Sequence, residues 1–151
     1  MVVIDSIKNG IVIDHITAGL GMKLLEYLDI DTSQDTVAVI MNAVSNKYGR
    51  KDVVKIENVS DVDLAALGII DPKVTVNYIE DHIIREKIHL TVPEKVVNII
   101  KCNNPRCVTS IEPAAPQIFH LIDRENREYR CEYCDEIISM KGGYGNEIIH
   151  R

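Results

Sequence analysis

The chain has 151 residues and a net charge of −6, with 46% hydrophobic and 26% charged side chains. That length holds one ordinary domain or two small ones, and the acidic balance argues against wrapping a long nucleic acid or coating an anionic membrane. With one Phe and no Trp, the core has to be built from Ile, Val and Leu. The start, MVVIDSIKNG, lacks the basic segment and long apolar run of a secretory signal. No stretch approaches the roughly 18 uncharged apolar residues of a membrane span, so a cytoplasmic location is expected.

In chain order, IKNGIVIDHI (7–16) reads as a strand, bulged or bent at Gly10. Thr17 is placed to cap a helix over 18–28, in which Leu20, Leu24, Leu25 and Leu28 form one apolar stripe. TVAVIMNAV (36–44) is an apolar, β-rich run suited to a buried strand. VVKIEN (53–58) alternates, with Val54 and Ile56 on one face and Lys55 and Glu57 on the other. Ser60 with Asp63 resembles a capping box for a short helix ending at Gly68. VTVNYI (74–79) and HIIREKIHL (82–90) complete the set as strands. The order β-α-β-β-α-β with an added strand is the split-βαβ, ferredoxin-like pattern, an antiparallel sheet with helices on one face. Pro93 in TVPEK (91–95) interrupts pairing and marks a boundary, giving parts 1–95 and 96–151. Acids outnumber bases in both parts.

The second part holds all four cysteines, spaced C-x4-C (Cys102, Cys107), then 23 residues, then C-x2-C (Cys131, Cys134). In a reducing compartment such thiols point to metal before disulfides. Each pair is a chelating knuckle, and four thiolates fill the tetrahedral shell of one zinc ion, leaving no open position for catalysis. Between the knuckles, QIFHLI and REYR read as two strands joined by a turn at DREN, a hairpin that returns one knuckle to the other. Free or disulfide-bonded cysteines and a C-x2-C redox pair are the competing readings. The metal also explains how a segment of about 55 residues, marginal on its own core, holds a fold. The expected fold class is therefore α+β, with a ferredoxin-like domain followed by a small β-rich, four-cysteine zinc domain.

Other motifs carry less. GLGMK (19–23) follows a strand, but Leu24 stands where a dinucleotide fingerprint needs its third glycine, and the P-loop pattern is absent. Gly19 and Gly21 are therefore read as tight helix-entry residues. Asp14-His15 is either half of a catalytic relay or a locally bonded strand-end pair, and no Ser or Cys nucleophile accompanies it. Lys55 and Lys87 on an open sheet face offer charge for a triphosphate without any P-loop. Arg124, Arg127 and Arg130 between the knuckles suit phosphate contact in a zinc-ribbon nucleic-acid module, but Glu125, Glu128 and Glu132 interleave with them, which favours a solvated face.

VIDHI (12–16), GRKDVVKIEN (49–58), TVN (75–77) and the cysteine tail together resemble the regulatory chain of aspartate carbamoyltransferase, along nearly the whole length and in the same order. The resemblance implies a non-catalytic allosteric subunit of pyrimidine biosynthesis. Its first domain would bind CTP as inhibitor and ATP as competing activator, with UTP as a helper in some members. Its zinc domain would dock on the catalytic chain. Regulatory chains would dimerise through their nucleotide domains, three dimers bridging two catalytic trimers. By position, Asp14 would bind ribose hydroxyls or a neighbouring lysine, and His15 would sit near the triphosphate. Lys55 would contact ribose and phosphate, and Lys87 the phosphates. Asn77 and Ile79 would line the triphosphate and ribose side, while Ser6, Ile7, His82 and Ile84 would frame the base. Asp5, His82 and Glu86 depart from the family's pattern, around the base and phosphate edges.

Overall fold

A computed structural model describes residues 7–28, 30, 34–46 and 49–141. They form two compact units that divide between Thr91 and Val92.

The first unit is a five-stranded sheet of β1 (Gly10–Thr17), β2 (Val37–Ser45), β3 (Gly49–Glu57), β4 (Thr75–Glu80) and β5 (Ile83–His89). Their spatial order is β2-β3-β1-β4-β5, every neighbouring pair antiparallel. Helices α1 (Gly21–Tyr27) and α2 (Leu64–Ile70) occupy the connections before β2 and β4. This is the split-βαβ arrangement with one added edge strand. Ile11, Ile13, Val54, Ile56 and Val76 point to one face, where Leu24 of α1 and Leu67 of α2 close a fully buried aliphatic core. Leu20, Leu25 and Leu28 pack against its margin, so the leucine stripe is real. Among the described residues, the opposite face of the sheet carries no helix.

Several local expectations are corrected. Helix α1 starts at Gly21, not 18, and its N-cap is Leu20, with no side-chain cap bond. Thr17 is occupied elsewhere, its N–H donating to Asp71 Oδ2 at 2.6 Å. The helix entry is held instead by Asp52, a fully buried carboxylate whose Oδ2 accepts from Gly19 N (3.0 Å) and Gly21 N (2.9 Å), and whose Oδ1 accepts from Asn42 N (2.8 Å). Gly19 takes a positive φ of 99° there, and a Cβ on Gly21 would meet the Asp52 carboxylate at 2.9 Å. Both glycines are thus helix-entry residues for a steric reason. Helix α2 is capped by Asp63, which accepts from Ala66 N at 3.1 Å, rather than by Ser60, and it runs through Gly68 to Ile70. β2, expected to be buried, is the sheet's edge: Val44 is 72% exposed and Met41 is exposed too.

Gly10 marks no bulge in β1; the register shift falls between Ile13 and Ile16. The glycine is required by contact. Its φ is +148°, and a Cβ there would stand 2.1 Å from the Ile56 carbonyl oxygen. Gly10→Ala is expected to destabilise the first unit by about 4 kcal/mol, the severe end for a single substitution. Urea unfolding followed by circular dichroism checks this.

The second unit is a four-stranded antiparallel meander of β6 (Lys95–Val97), β7 (Ile118–Asp123), β8 (Glu128–Cys131) and β9 (Ile137–Ser139), with the short helix α3 (Val108–Ile111). The hairpin expected from QIFHLI and REYR is β7–β8, turned at 124–127. Phe119, Tyr129, Ile100 and Met140 are fully buried. Tyr129 spends its hydroxyl on the Pro93 carbonyl at 2.6 Å. Burial pushes that phenol up to about 12, against the pull of Arg124 and Arg127.

Candidate functional site

The four cysteines converge at one end of the meander. Cys102 and Cys107 come from the loop between β6 and α3, Cys131 from the end of β8, and Cys134 from the turn before β9. All four sulfurs lie within 4.8 Å of one another. Cys102 Sγ is 3.6 Å from Cys134 Sγ, and Cys107 Sγ is 3.8 Å from Cys131 Sγ. A tetrahedron with metal–sulfur bonds of about 2.3 Å has edges of about 3.8 Å, so the cluster fits a single metal ion. These separations are far beyond the roughly 2.05 Å of a disulfide, and they join one knuckle to the other rather than the two cysteines of the C-x2-C pair. The surroundings prepare the thiolates unequally. Burial pushes the Cys102 and Cys131 thiols up, partly offset by hydrogen bonds from the backbone of Asn104 and of Cys134 and Tyr133. Burial also raises Cys107, but bonds from the Thr109 side chain and backbone, with those from Cys131 and Cys134, together bring that thiol down to about 7. The Thr109 hydroxyl donates to Cys107 Sγ at 3.1 Å, an outer-shell contact of the kind that fixes ligand orientation.

A second constellation lies on the helix-free face of the first unit. Strand pairing aligns Ala38, Lys55, Val12, Asn77 and Lys87 in one row across all five strands. The next row toward the β4–β5 turn is Glu57, Gly10, Ile79 and Ile84, and the Ile7 side chain lies beside Gly10. On the other side stand Asp14, Thr75 and His89. The face is therefore graded, apolar around Ile7, Ile79 and Ile84 and cationic around Lys55 and Lys87. Asn77 is only 8% exposed, and its Oδ1 has no hydrogen-bond partner, which is costly without a ligand. Beyond the bulge in β1, a cleft of about 370 Å³ is lined by His15, Thr17, Arg50 and Lys73 among others.

Comparison with known families matches both units. Residues 2–91 match the allosteric domain of the aspartate carbamoyltransferase regulatory chain, and residues 94–142 match its metal binding domain. The chain is 57% identical to the aspartate carbamoyltransferase regulatory chain of Clostridium acetobutylicum over 148 residues, 98% of this chain and 100% of that one. It is 54% identical to that of Clostridium botulinum over the same shares. It is 50% identical to that of Bifidobacterium longum, over 88% of this chain and 96% of the relative. The chain belongs to the aspartate carbamoyltransferase regulatory-chain family. It is a regulatory, non-catalytic chain with an allosteric domain and a metal-binding domain, and such a chain implies a catalytic partner chain.

In this regulatory chain most of the residues singled out from sequence share the graded face. Asp14 holds a lysine, Lys51, at 2.9 Å, and its Oδ1 accepts from the backbone N–H of His15 at 2.7 Å. The Asp14 carboxylate is thus engaged by Lys51 and by the backbone of His15. His15 takes a φ of 59° in the bulge and directs Nδ1 to the Thr75 hydroxyl at 3.3 Å. His82 is a turn residue with φ 65°, not a strand residue, and its N–H donates to the Lys8 carbonyl. Ile84 is exposed opposite Ile79. Ser6 lies outside the described residues. Lys51 and Asp52 escaped the sequence reading, although both sit inside the quoted GRKD run. Of the arginines suited to nucleic acid, Arg124 donates to the Val92 carbonyl and pairs with Glu94, and Arg130 pairs with Asp135 at 2.6 Å. Among the described residues no helix is long and apolar enough to cross a membrane.

Proposed function

We propose that the first unit is the nucleotide sensor of a carbamoyltransferase assembly. It would take CTP and ATP competitively on the helix-free face, with UTP as a second effector, and with the sign of each response set by the assembly. The observation that carries this reading is Asn77, whose buried, unpartnered oxygen lies in the row between Lys55 and Lys87. A ligand that donates a hydrogen bond and bears several negative charges would satisfy that row at once, as a ribose hydroxyl beside a triphosphate does. The apolar end at Ile7, Ile79 and Ile84, with His82 in the adjoining turn, suits a base read through backbone groups, and Ser6 is assigned to the base by sequence position alone. Asp14, by holding Lys51, keeps a third cation next to the phosphates, and His15 stands at the same end.

The ion in the cysteine cluster is zinc on this reading, since four thiolates in a tetrahedron suit it. The second unit then docks on the catalytic chain, and the assembly is three regulatory dimers bridging two catalytic trimers in the cytoplasm. Nucleotide acts only by binding the tense and relaxed assemblies unequally, with couplings on the order of 1–3 kcal/mol.

Calorimetric titration of CTP, then ATP, into the metal-loaded chain tests the sensor. One competing site is expected, weakened by about tenfold or more in Lys55→Ala, because loss of a charge-assisted bond costs about 1.5–3 kcal/mol. Binding unaffected by Lys55→Ala would remove the nucleotide from this face. Metal analysis of the purified chain is expected to find one zinc per chain.

A further inference from the structure

The four cysteines are the chain's only thiols, and the fold exposes them unequally. Cys102, Cys107 and Cys131 are buried, and Cys134 alone is not. It stands in the turn between β8 and β9, where residues 132, 133 and 135–137 are all exposed. Its Sγ lies 3.6 Å from Cys102 Sγ, closer than the 3.8 Å between Cys107 and Cys131. Cys107 is shielded twice, by burial and by the Thr109 hydroxyl, which donates to its sulfur at 3.1 Å and takes up one of its lone pairs. Metal binding makes all four sulfurs thiolates, so access and neighbours, not protonation, set them apart. An oxidant arriving from solvent meets Cys134 first, and Cys102 Sγ stands beside it.

We propose that Cys134 is a site of oxidation by hydroperoxides, and that its reaction closes a Cys102–Cys134 disulfide that dismantles the metal site. With hydrogen peroxide, the Cys134 thiolate attacks one oxygen; an S–O bond forms, the O–O bond breaks, and hydroxide leaves, taking a proton from solvent to become water. The Cys102 thiolate then attacks the Cys134 sulfur; an S–S bond forms, the S–O bond breaks, and a second hydroxide leaves in the same way. Two thiolates have given up two electrons, and the peroxide has become two waters. The two sulfurs close from 3.6 Å to about 2.05 Å. The chain then keeps two thiolates, Cys107 and Cys131, where the tetrahedral site needs four. The bridge joins one knuckle to the other, so the ends of the cluster stay together and a thiol reductant can rebuild the site. The proposal rests on the zinc reading of the cluster and adds which two sulfurs oxidation takes.

The test uses the full chain, loaded with zinc, with its metal content measured first. Hydrogen peroxide is added, released metal is followed with a colour-forming chelator, and disulfides are mapped at early times by mass spectrometry of non-reduced peptides. Metal release is expected to keep pace with the Cys102–Cys134 bridge, and dithiothreitol with added zinc is expected to reverse both. Cys134→His keeps four ligands of types that zinc accepts, and it should release metal about tenfold more slowly because the accessible sulfur is gone. The wild-type disulfide map decides the matter even where that variant fails to load. A first disulfide within one knuckle, or between Cys107 and Cys131, would overturn the proposal and leave the zinc reading intact. So would metal release from Cys134→His at the wild-type rate, or retention of the metal by wild type in excess peroxide. A chain that binds no zinc would overturn both.

Discussion

Replacing Cys131 by serine is expected to unfold the second unit and leave the first one folded. The four sulfurs are spaced for a single ion, and structural metal sites of this type supply about 10 kcal/mol or more of folding energy. That exceeds what a four-stranded meander of this size earns from its own core. Amide NMR spectra would show the signals of residues 92–140 collapsing toward random-coil positions while those of the first unit persist, and metal content would fall to zero. Acid should do the same reversibly. Cys102 and Cys131 are pushed up by burial and hold their protons in the metal-free unit at neutral pH. Metal binding therefore expels protons, and lowering the pH favours the metal-free state. Raising the free metal concentration should move the acid transition to lower pH. A second unit that stays folded without metal would contradict the role given to the cluster.

The other large effect is expected at Asp52. Replacing it with alanine strands the N–H groups of Gly19, Gly21 and Asn42, all now bonded to its carboxylate. Each unsatisfied donor costs roughly 1–3 kcal/mol, so a loss of about 4 kcal/mol in the first unit is expected. Asp52→Asn should lie between, because its amide retains an acceptor but loses the charge and one oxygen. Denaturant unfolding gives the magnitude. Hydrogen exchange gives the location, with faster exchange at those three amides. A loss below about 1 kcal/mol would mean that the carboxylate does not organise the helix entry.

The cysteine cluster and the strand order were legible because their signals are local. Two knuckles at fixed spacing need no tertiary knowledge, and VVKIEN declares its buried face by alternation. The misread features are those set by distant parts of the chain. TVAVIMNAV has the composition of a buried strand, and nothing within it says that its outer neighbour is missing. Thr17 looks like a cap, but its backbone is taken by Asp71, 54 residues away. Asp52 reads as one more charge in GRKD; only the folded chain brings a helix entry and a bulge of β2 to its two oxygens. The graded face was partly legible. Lys55 and Lys87 were read as cations of an open sheet face and Asn77 was named through the family resemblance, but their alignment in one row depends on strand register, which a bulge in β1 and another in β5 shift.

The cluster also changes what a broken chain would do. Cys102 and Cys107 lie before the exposed turn at 124–127, and Cys131 and Cys134 lie after it. A protease cutting that turn produces two fragments that each keep half of the sulfur ligands and paired strands on either side of the cut. The ion then acts as a rivet between separate peptides. Nicked chain should run as a single species under native conditions, and come apart when a chelator withdraws the metal.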